Sequence, residues 1–328
     1  MNVDKSECNC AQTNLSNENL KQEIIRLKKE KNAVILGHFY QRDEIQDVAD
    51  YIGDSLALAQ IAEKIEQPLI IMCGVHFMAE TTKILCPDKK VLIPDTEAGC
   101  SLADSCPAKE LAEFKKAHPD HKVISYVNTT AAVKALTDVV VTSSNARQIV
   151  ESFPADTKLI FGPDRNLGGY INSITGRDML LWNGSCHVHE QFSLDKLVEL
   201  KQQYPDAKVL VHPECPRQIV MMADNVGSTA ALLNYSKSSD AKRFIVVTES
   251  GILHQMRQAS PDKEFIPAPP MQSNCGCNDC NYMKMITLEK LLVCLRDEIN
   301  EVNVDAEIAE EARKPIKRML EISASLGL

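Results

Sequence analysis

Val34-Ile35-Leu36-Gly37-His38 is the first of three similar runs; Val123-Ile124-Ser125-Tyr126 and Val209-Leu210-Val211-His212 repeat its form. Each is a short β-prone segment that closes on a side chain able to hydrogen-bond or move a proton. Seventeen residues beyond His38, Tyr126 and His212 stand Ser55, Ser143 and Thr229, in the contexts Gly53-Asp54-Ser55, Val141-Thr142-Ser143 and Gly227-Ser228-Thr229. Each of these opens a helix-like pattern. A second apolar strand follows (Leu69–Met72, Leu159–Phe161, Phe244–Val247), then a helical stretch and a third strand (Val91–Ile93, Met179–Trp182, Glu264–Ile266). Short strands alternating with helices predict parallel α/β layers with right-handed crossovers. The period of about 87 residues is large enough for each unit to own a core. The expected fold is therefore three similar αβα sandwich domains related by pseudo-threefold symmetry, with an active site at the centre. The expected division is a disordered tail 1–18, units 19–105, 106–192 and 193–286, and C-terminal helices 287–328 packing on the first unit.

A cysteine follows each third strand. Cys100 and Cys186 are unambiguous, whereas the third unit offers Cys275, Cys277 and Cys280. Counting forward from the first strand favours Cys275; counting back from the next helix favours Cys280. Leu111, Leu197 and Leu291 lie eleven residues past Cys100, Cys186 and Cys280, and Pro107, Ser193 and Thr287 lie seven past, where a cap or first-turn residue belongs. The helix-side count is preferred, because the long Pro- and Asn-rich stretch 267–279 accommodates an insertion before the cysteine.

Three thiolates focused by threefold symmetry suit zinc with a water in its fourth position, or a cubane with one iron left open. Spacing does not choose between them. Ligands in parallel α/β layers gather beyond the carboxyl ends of the strands, where His38, Tyr126, His212 and the cysteines all fall. Hydroxyls at helix starts, with the free amides there, suit phosphate or carboxylate; plain N-capping is the ordinary alternative. His212-Pro213-Glu214 sets an imidazole beside a carboxylate, a workable acid–base pair, or else a turn at a strand end. Tyr40 shares the side of His38 by strand alternation. His189, three residues after Cys186, faces either with the cysteine or away from it.

Composition bounds the partners. The net charge is −9 over 328 residues, which argues against nucleic acid, and no apolar run reaches the ~20 residues of a membrane span. Residues 1–18 are polar and unlike a secretory signal. Twelve cysteines without such a signal point to the reducing cytoplasm, where they are metal ligands, catalytic groups or buried hydrophobes. Cys73 and Cys294, in apolar runs, are expected in the core; Cys8 and Cys10 are expected in the tail.

The chain carries, in order, Gly37-His38-Phe39-Tyr40-Gln41, Ile52-Gly53-Asp54-Ser55-Leu56, Gly74-Val75-His76-Phe77-Met78-Ala79-Glu80, and Pro94-Asp95-Thr96-Glu97-Ala98-Gly99-Cys100-Ser101. Tyr126-Val127-Asn128, Cys186-His187-Val188-His189-Glu190, His212-Pro213-Glu214-Cys215 and Cys280-Asn281-Tyr282-Met283-Lys284-Met285 complete the set. This ordered set resembles the quinolinate synthase family from about residue 20 onward. The resemblance implies a 4Fe–4S cluster on Cys100, Cys186 and Cys280. It implies condensation of iminoaspartate with dihydroxyacetone phosphate to quinolinate, in de novo NAD biosynthesis, with loss of phosphate and two waters. Substrate contacts carried over are His38, Ser55, Tyr126, Val127, Asn128, Ser143, His189, His212, Pro213, Glu214 and Thr229; catalytic roles fall to Tyr40, Tyr126, His212 and Glu214. The implied partners are the two substrates and the enzyme that supplies iminoaspartate, with no nucleic acid and no membrane. The rival readings are a non-catalytic iron–sulfur sensor and a zinc-dependent hydrolase or aldolase using the same cysteines.

Overall fold

The structure, a computed structural model, describes residues 10–272 and 278–328, the side chains of 10–16 excepted. Cys8, Cys275 and Cys277 fall outside the described residues. The chain forms three four-stranded sheets. The first holds β1 (Ala33–His38), β2 (Tyr51–Gly53), β3 (Leu69–Cys73) and β4 (Lys90–Leu92). The second holds β5 (Lys122–Tyr126), β6 (Val139–Val141), β7 (Leu159–Gly162) and β8 (Leu180–Leu181). The third holds β9 (Lys208–Val211), β10 (Asn225–Val226), β11 (Arg243–Val247) and β12 (Glu264–Pro267). All pairings are parallel and every sheet has the same order, its second strand at one edge, then first, third and fourth. The central strands β1 and β3 are buried at every residue, as strands covered on both faces must be, and this is why they read as unbroken apolar runs.

The edge strands β2, β6 and β10 are absent from the sequence reading. At two or three residues each they are too short to show a period. They matter because each leads directly to one of the hydroxyl-bearing segments. His38 stands opposite Gly53, and Tyr126 opposite Val141, so strand-end polar group and hydroxyl meet across one sheet edge.

The first and last helices depart from expectation. The helix Cys10–Glu30 starts inside the segment expected to be a tail, and residues 1–9 lie outside the described residues. Its Ile24 and Leu27 pack under the first sheet with Leu288, Leu291 and Leu295 of the helix Leu288–Asp297. The final helix, Ala306–Ser325, lies against the helix Ala131–Ala135 and β6 of the second sheet as well as His76–Leu85 of the first. Its stripe Ala312, Ile316, Met319 and Leu320 has helical spacing and fills the groove between the two units. Cys73 and Cys294 are core residues. No described helix is long and apolar enough to cross a membrane.

Candidate functional site

The carboxyl ends of the central strands deliver three side chains to one cavity: His38 from β1, Tyr126 from β5 and His212 just after β9. Two residues further on in each unit, Tyr40, Asn128 and Glu214 line the same cavity. The two histidines are held alike. Nδ1 of His38 accepts the Tyr40 amide at 3.1 Å, and Nδ1 of His212 accepts the Glu214 amide at 3.3 Å. Both rings therefore carry their proton on Nε2 when neutral. Burial pushes both imidazoles down to about 3, so they are neutral donors at physiological pH.

The hydroxyls come from helix starts, though not as caps. Asp54 caps the helix Ser55–Ala62 by accepting the Ala57 amide at 3.0 Å, and Ser228 caps Thr229–Ser238 by accepting from Ala231 at 3.2 Å. Ser55 and Thr229 are thus first-turn residues, and both line the cavity. Ser143 differs: the helix of its unit begins at Ala146, and Ser143 sits in the turn before it. Its neighbour Ser144 donates to Asp54 at 2.6 Å and lies 2.8 Å from the Ser228 hydroxyl, tying the three segments together.

Behind them runs a buried polar network. The Tyr126 phenol donates to Glu214 Oε1, while Nδ1 of His189 lies 3.0 Å from Oε2 without the alignment of a hydrogen bond. The His189 ring stacks on His212 with centroids 4.6 Å apart. Burial alone would push the Glu214 carboxyl up; the adjacent His189, with His212 and the Tyr126 phenol, outweighs it and holds the group down at about 2. Glu214 is therefore a carboxylate at neutral pH.

Cys100, Cys186 and Cys280 line the same cavity, and all three are free thiols. Each begins an identical turn: the carbonyls of Cys100, Cys186 and Cys280 accept the amides of Asp104, Glu190 and Lys284, four residues on, at 3.0, 2.9 and 3.0 Å. The turn after Cys280 thus matches those after Cys100 and Cys186. The Ser101 hydroxyl meets His187 Nδ1 at 2.7 Å, joining the first two turns. Burial pushes Cys100 up to about 12 and Cys280 to about 11, and Cys186 higher still; amides of the turn after each sulfur pull the other way. Three half-buried soft donors lining one cavity fit a thiolate-held metal centre, whose cation would replace the protons. Cys186, His189 and Glu214 also place one donor atom each within 4.8 Å of one another, a mixed set compatible with a metal.

Of the sequence-derived site residues, only Val127 and Pro213 do not line the cavity. Val127 packs in the core, and its carbonyl accepts from the fully buried Lys134 at 2.8 Å. Sequence reasoning missed Asp54, Thr248 and Glu249. Glu249, wholly buried, accepts the Cys280 amide at 3.1 Å, the Gly251 amide at 2.7 Å and Lys284 Nζ at 2.9 Å. Thr248 and Glu249 follow β11 directly, so the polar residues beyond a second strand were the available signal.

Known proteins have similar sequences. The family described as Quinolinate synthetase A protein matches residues 22–321. A quinolinate synthase of Chloroherpeton thalassium is 54% identical over 98% of this chain and its own whole length. One from a Synechocystis strain is 58% identical, and one from a Synechococcus strain 56%, each over 92% of this chain and 94% of its own. At that similarity over nearly the full length, the chain belongs to the quinolinate synthase family.

Proposed function

We propose that this chain condenses iminoaspartate with dihydroxyacetone phosphate to quinolinate, releasing phosphate and two waters, as a cytoplasmic enzyme of NAD biosynthesis. The observation that carries it is the convergence of three thiols, three hydroxyls and a neutral-imidazole and carboxylate set on one cavity. Residues 19–105, 106–192 and 193–286 are taken as the three α/β domains contributing to it. The enzyme that makes iminoaspartate is the expected partner.

Cys100, Cys186 and Cys280 would hold a 4Fe–4S cluster, which when bound supplies a Lewis acid at the iron without a cysteine, suited to dehydration. The chain's own groups divide the remaining work. Ser55 and Ser143, with the free amides of two helix starts, bind phosphate and carboxylate through oriented donors, and Thr229 contacts the substrate beside them. His38 and His212 donate from Nε2 to substrate oxygens without adding charge. Asn128 fixes orientation from the loop after β5. Glu214, kept ionised, takes a proton from substrate carbon during isomerisation and ring closure, and Tyr126 orients the substrate from the phenol bonded to that carboxylate. Tyr40 and His189 complete the wall, and the buried setting excludes water.

The mixed donor set Cys186, His189 and Glu214 is the one observation that favours a zinc hydrolase or aldolase instead. Anaerobic purification and metal analysis separate the two, followed by incubation with both substrates. A brown, iron-bearing protein forming quinolinate and phosphate in equal amounts is expected. A colourless zinc protein, or an iron-loaded one forming no quinolinate, would overturn the proposal.

A further inference from the structure

We propose that Thr248 is a positioning residue for this reaction, its hydroxyl fixing the direction in which Tyr40 and His189 hold their protons. The inference rests on the reading of the cavity given above. Thr248 follows β11, is 2% exposed, and stands behind the cavity wall instead of lining it. Its Oγ1 lies 2.8 Å from the Tyr40 phenol oxygen and 2.9 Å from Nε2 of His189. The phenol oxygen lies 2.7 Å from Thr229 Oγ1. One hydroxyl of the third unit thus joins an aromatic acid of the first to an imidazole of the second.

Proton counting gives this chain a direction. Nδ1 of His189 lies 3.0 Å from a Glu214 carboxylate oxygen, where a bare lone pair would be repelled, so of the two single-proton tautomers of the ring the one with its proton on Nδ1 is favoured. Nε2 can then only accept. Thr248 has a single proton and must give it to Nε2, so its oxygen accepts the Tyr40 proton. The Tyr40 oxygen in turn accepts from Thr229. The phenol is left with its proton committed away from the cavity, so toward the cavity it can only accept, through the lone pair that Thr229 does not use. Without the Thr248 hydroxyl, that proton is released and Nε2 is left buried without a donor.

The test compares Thr248→Val, which keeps the shape, with Thr248→Ser, which keeps the hydroxyl, both as iron-loaded full-length enzyme. Turnover, the KM for each substrate, anaerobic visible absorption and thermal unfolding are measured. Misdirected groups in an otherwise intact site should lower kcat of the Val variant roughly 10–100-fold with little change in KM, and Ser should restore most of it. A Val variant with wild-type turnover would overturn the inference, as would a Ser variant as slow as Val. Loss of iron or of the folded state in Val, cured by Ser, would also overturn it by making the hydroxyl structural. Wild-type enzyme inactive in the same assay would instead sink the proposed reaction, leaving the two failures distinguishable.

Discussion

Glu214 and Lys134 are charged groups kept inside the protein for opposite reasons. Glu214 sits where three neighbours favour its anion, and the proposed proton transfers need that charge. Glu214→Gln preserves shape and the Tyr126 contact but removes the acceptor. Turnover should fall about 10²–10⁴-fold, with anaerobic absorption and iron content unchanged. Full turnover with an intact metal centre would remove Glu214 from that role. Lys134 has no carboxylate partner within bonding distance among the described residues. Its Nζ donates to the carbonyls of Val127 and Thr129 and lies 5.3 Å from the centre of the Phe77 ring, pinning the loop that carries Asn128. Burial pushes its pKa from 10.5 down to about 8. Between those values the unfolded chain binds a proton that the folded one does not, so unfolding free energy rises with pH across that window. The gap corresponds to roughly 3 kcal/mol. Denaturant unfolding of wild type and Lys134→Met, compared from pH 8 to 10.5, should show the difference moving toward wild type by about that amount. A flat difference would mean the ammonium is solvated.

At the scale of elements, the seam between the first and third units is closed by backbone approach. A Cβ on Gly251 would lie 2.8 Å from both Cα and C of Tyr40 and 2.9 Å from the Gln41 carbonyl oxygen, and all three are main-chain atoms that cannot swing aside. Gln46 reinforces the seam by donating to the carbonyls of Phe39, Gln41 and Gly251. Gly251→Ala should therefore push the Tyr40 segment out of place. Turnover should drop at least tenfold, with a stability loss of about 1–3 kcal/mol in denaturant titrations. Wild-type behaviour in both would show the seam to be loose. Such contacts explain the limits of sequence reading. The central strands were legible because burial on both faces leaves an unbroken apolar run, and the cysteine spacing was legible because it repeats. The hydroxyl positions were found for a partly different reason, since Asp54 and Ser228 do the capping and Ser143 precedes no helix directly. Thr248, Glu249 and the edge strands were hidden because their meaning lies in contacts between units, which no local period encodes.

At the scale of the whole molecule, three units with one strand order each direct a strand-end polar group, a hydroxyl and a thiol inward. No unit holds the set alone, so the site exists only when the three close together. The repeated turn, with each cysteine carbonyl accepting the amide four residues on, makes Cys100, Cys186 and Cys280 equivalent in local structure. Cys73 and Cys294 are core thiols whose surroundings differ entirely. Equivalence makes a graded prediction possible. Replacing Cys100, Cys186 or Cys280 singly by serine should strip most iron and abolish quinolinate formation, since three sulfurs are the least that can hold a cubane with an open iron. Cys73→Ser should leave iron loading intact while costing about 1–3 kcal/mol for a hydroxyl buried among apolar side chains. Iron content per chain, anaerobic absorption and the quinolinate assay check all four variants. A mixed outcome, with Cys186→Ser inert but Cys100→Ser and Cys280→Ser fully loaded, would point to the single-ion set of Cys186, His189 and Glu214. Undiminished iron in all three site variants would mean that the converging thiols serve packing, and the proposed chemistry would lose its centre.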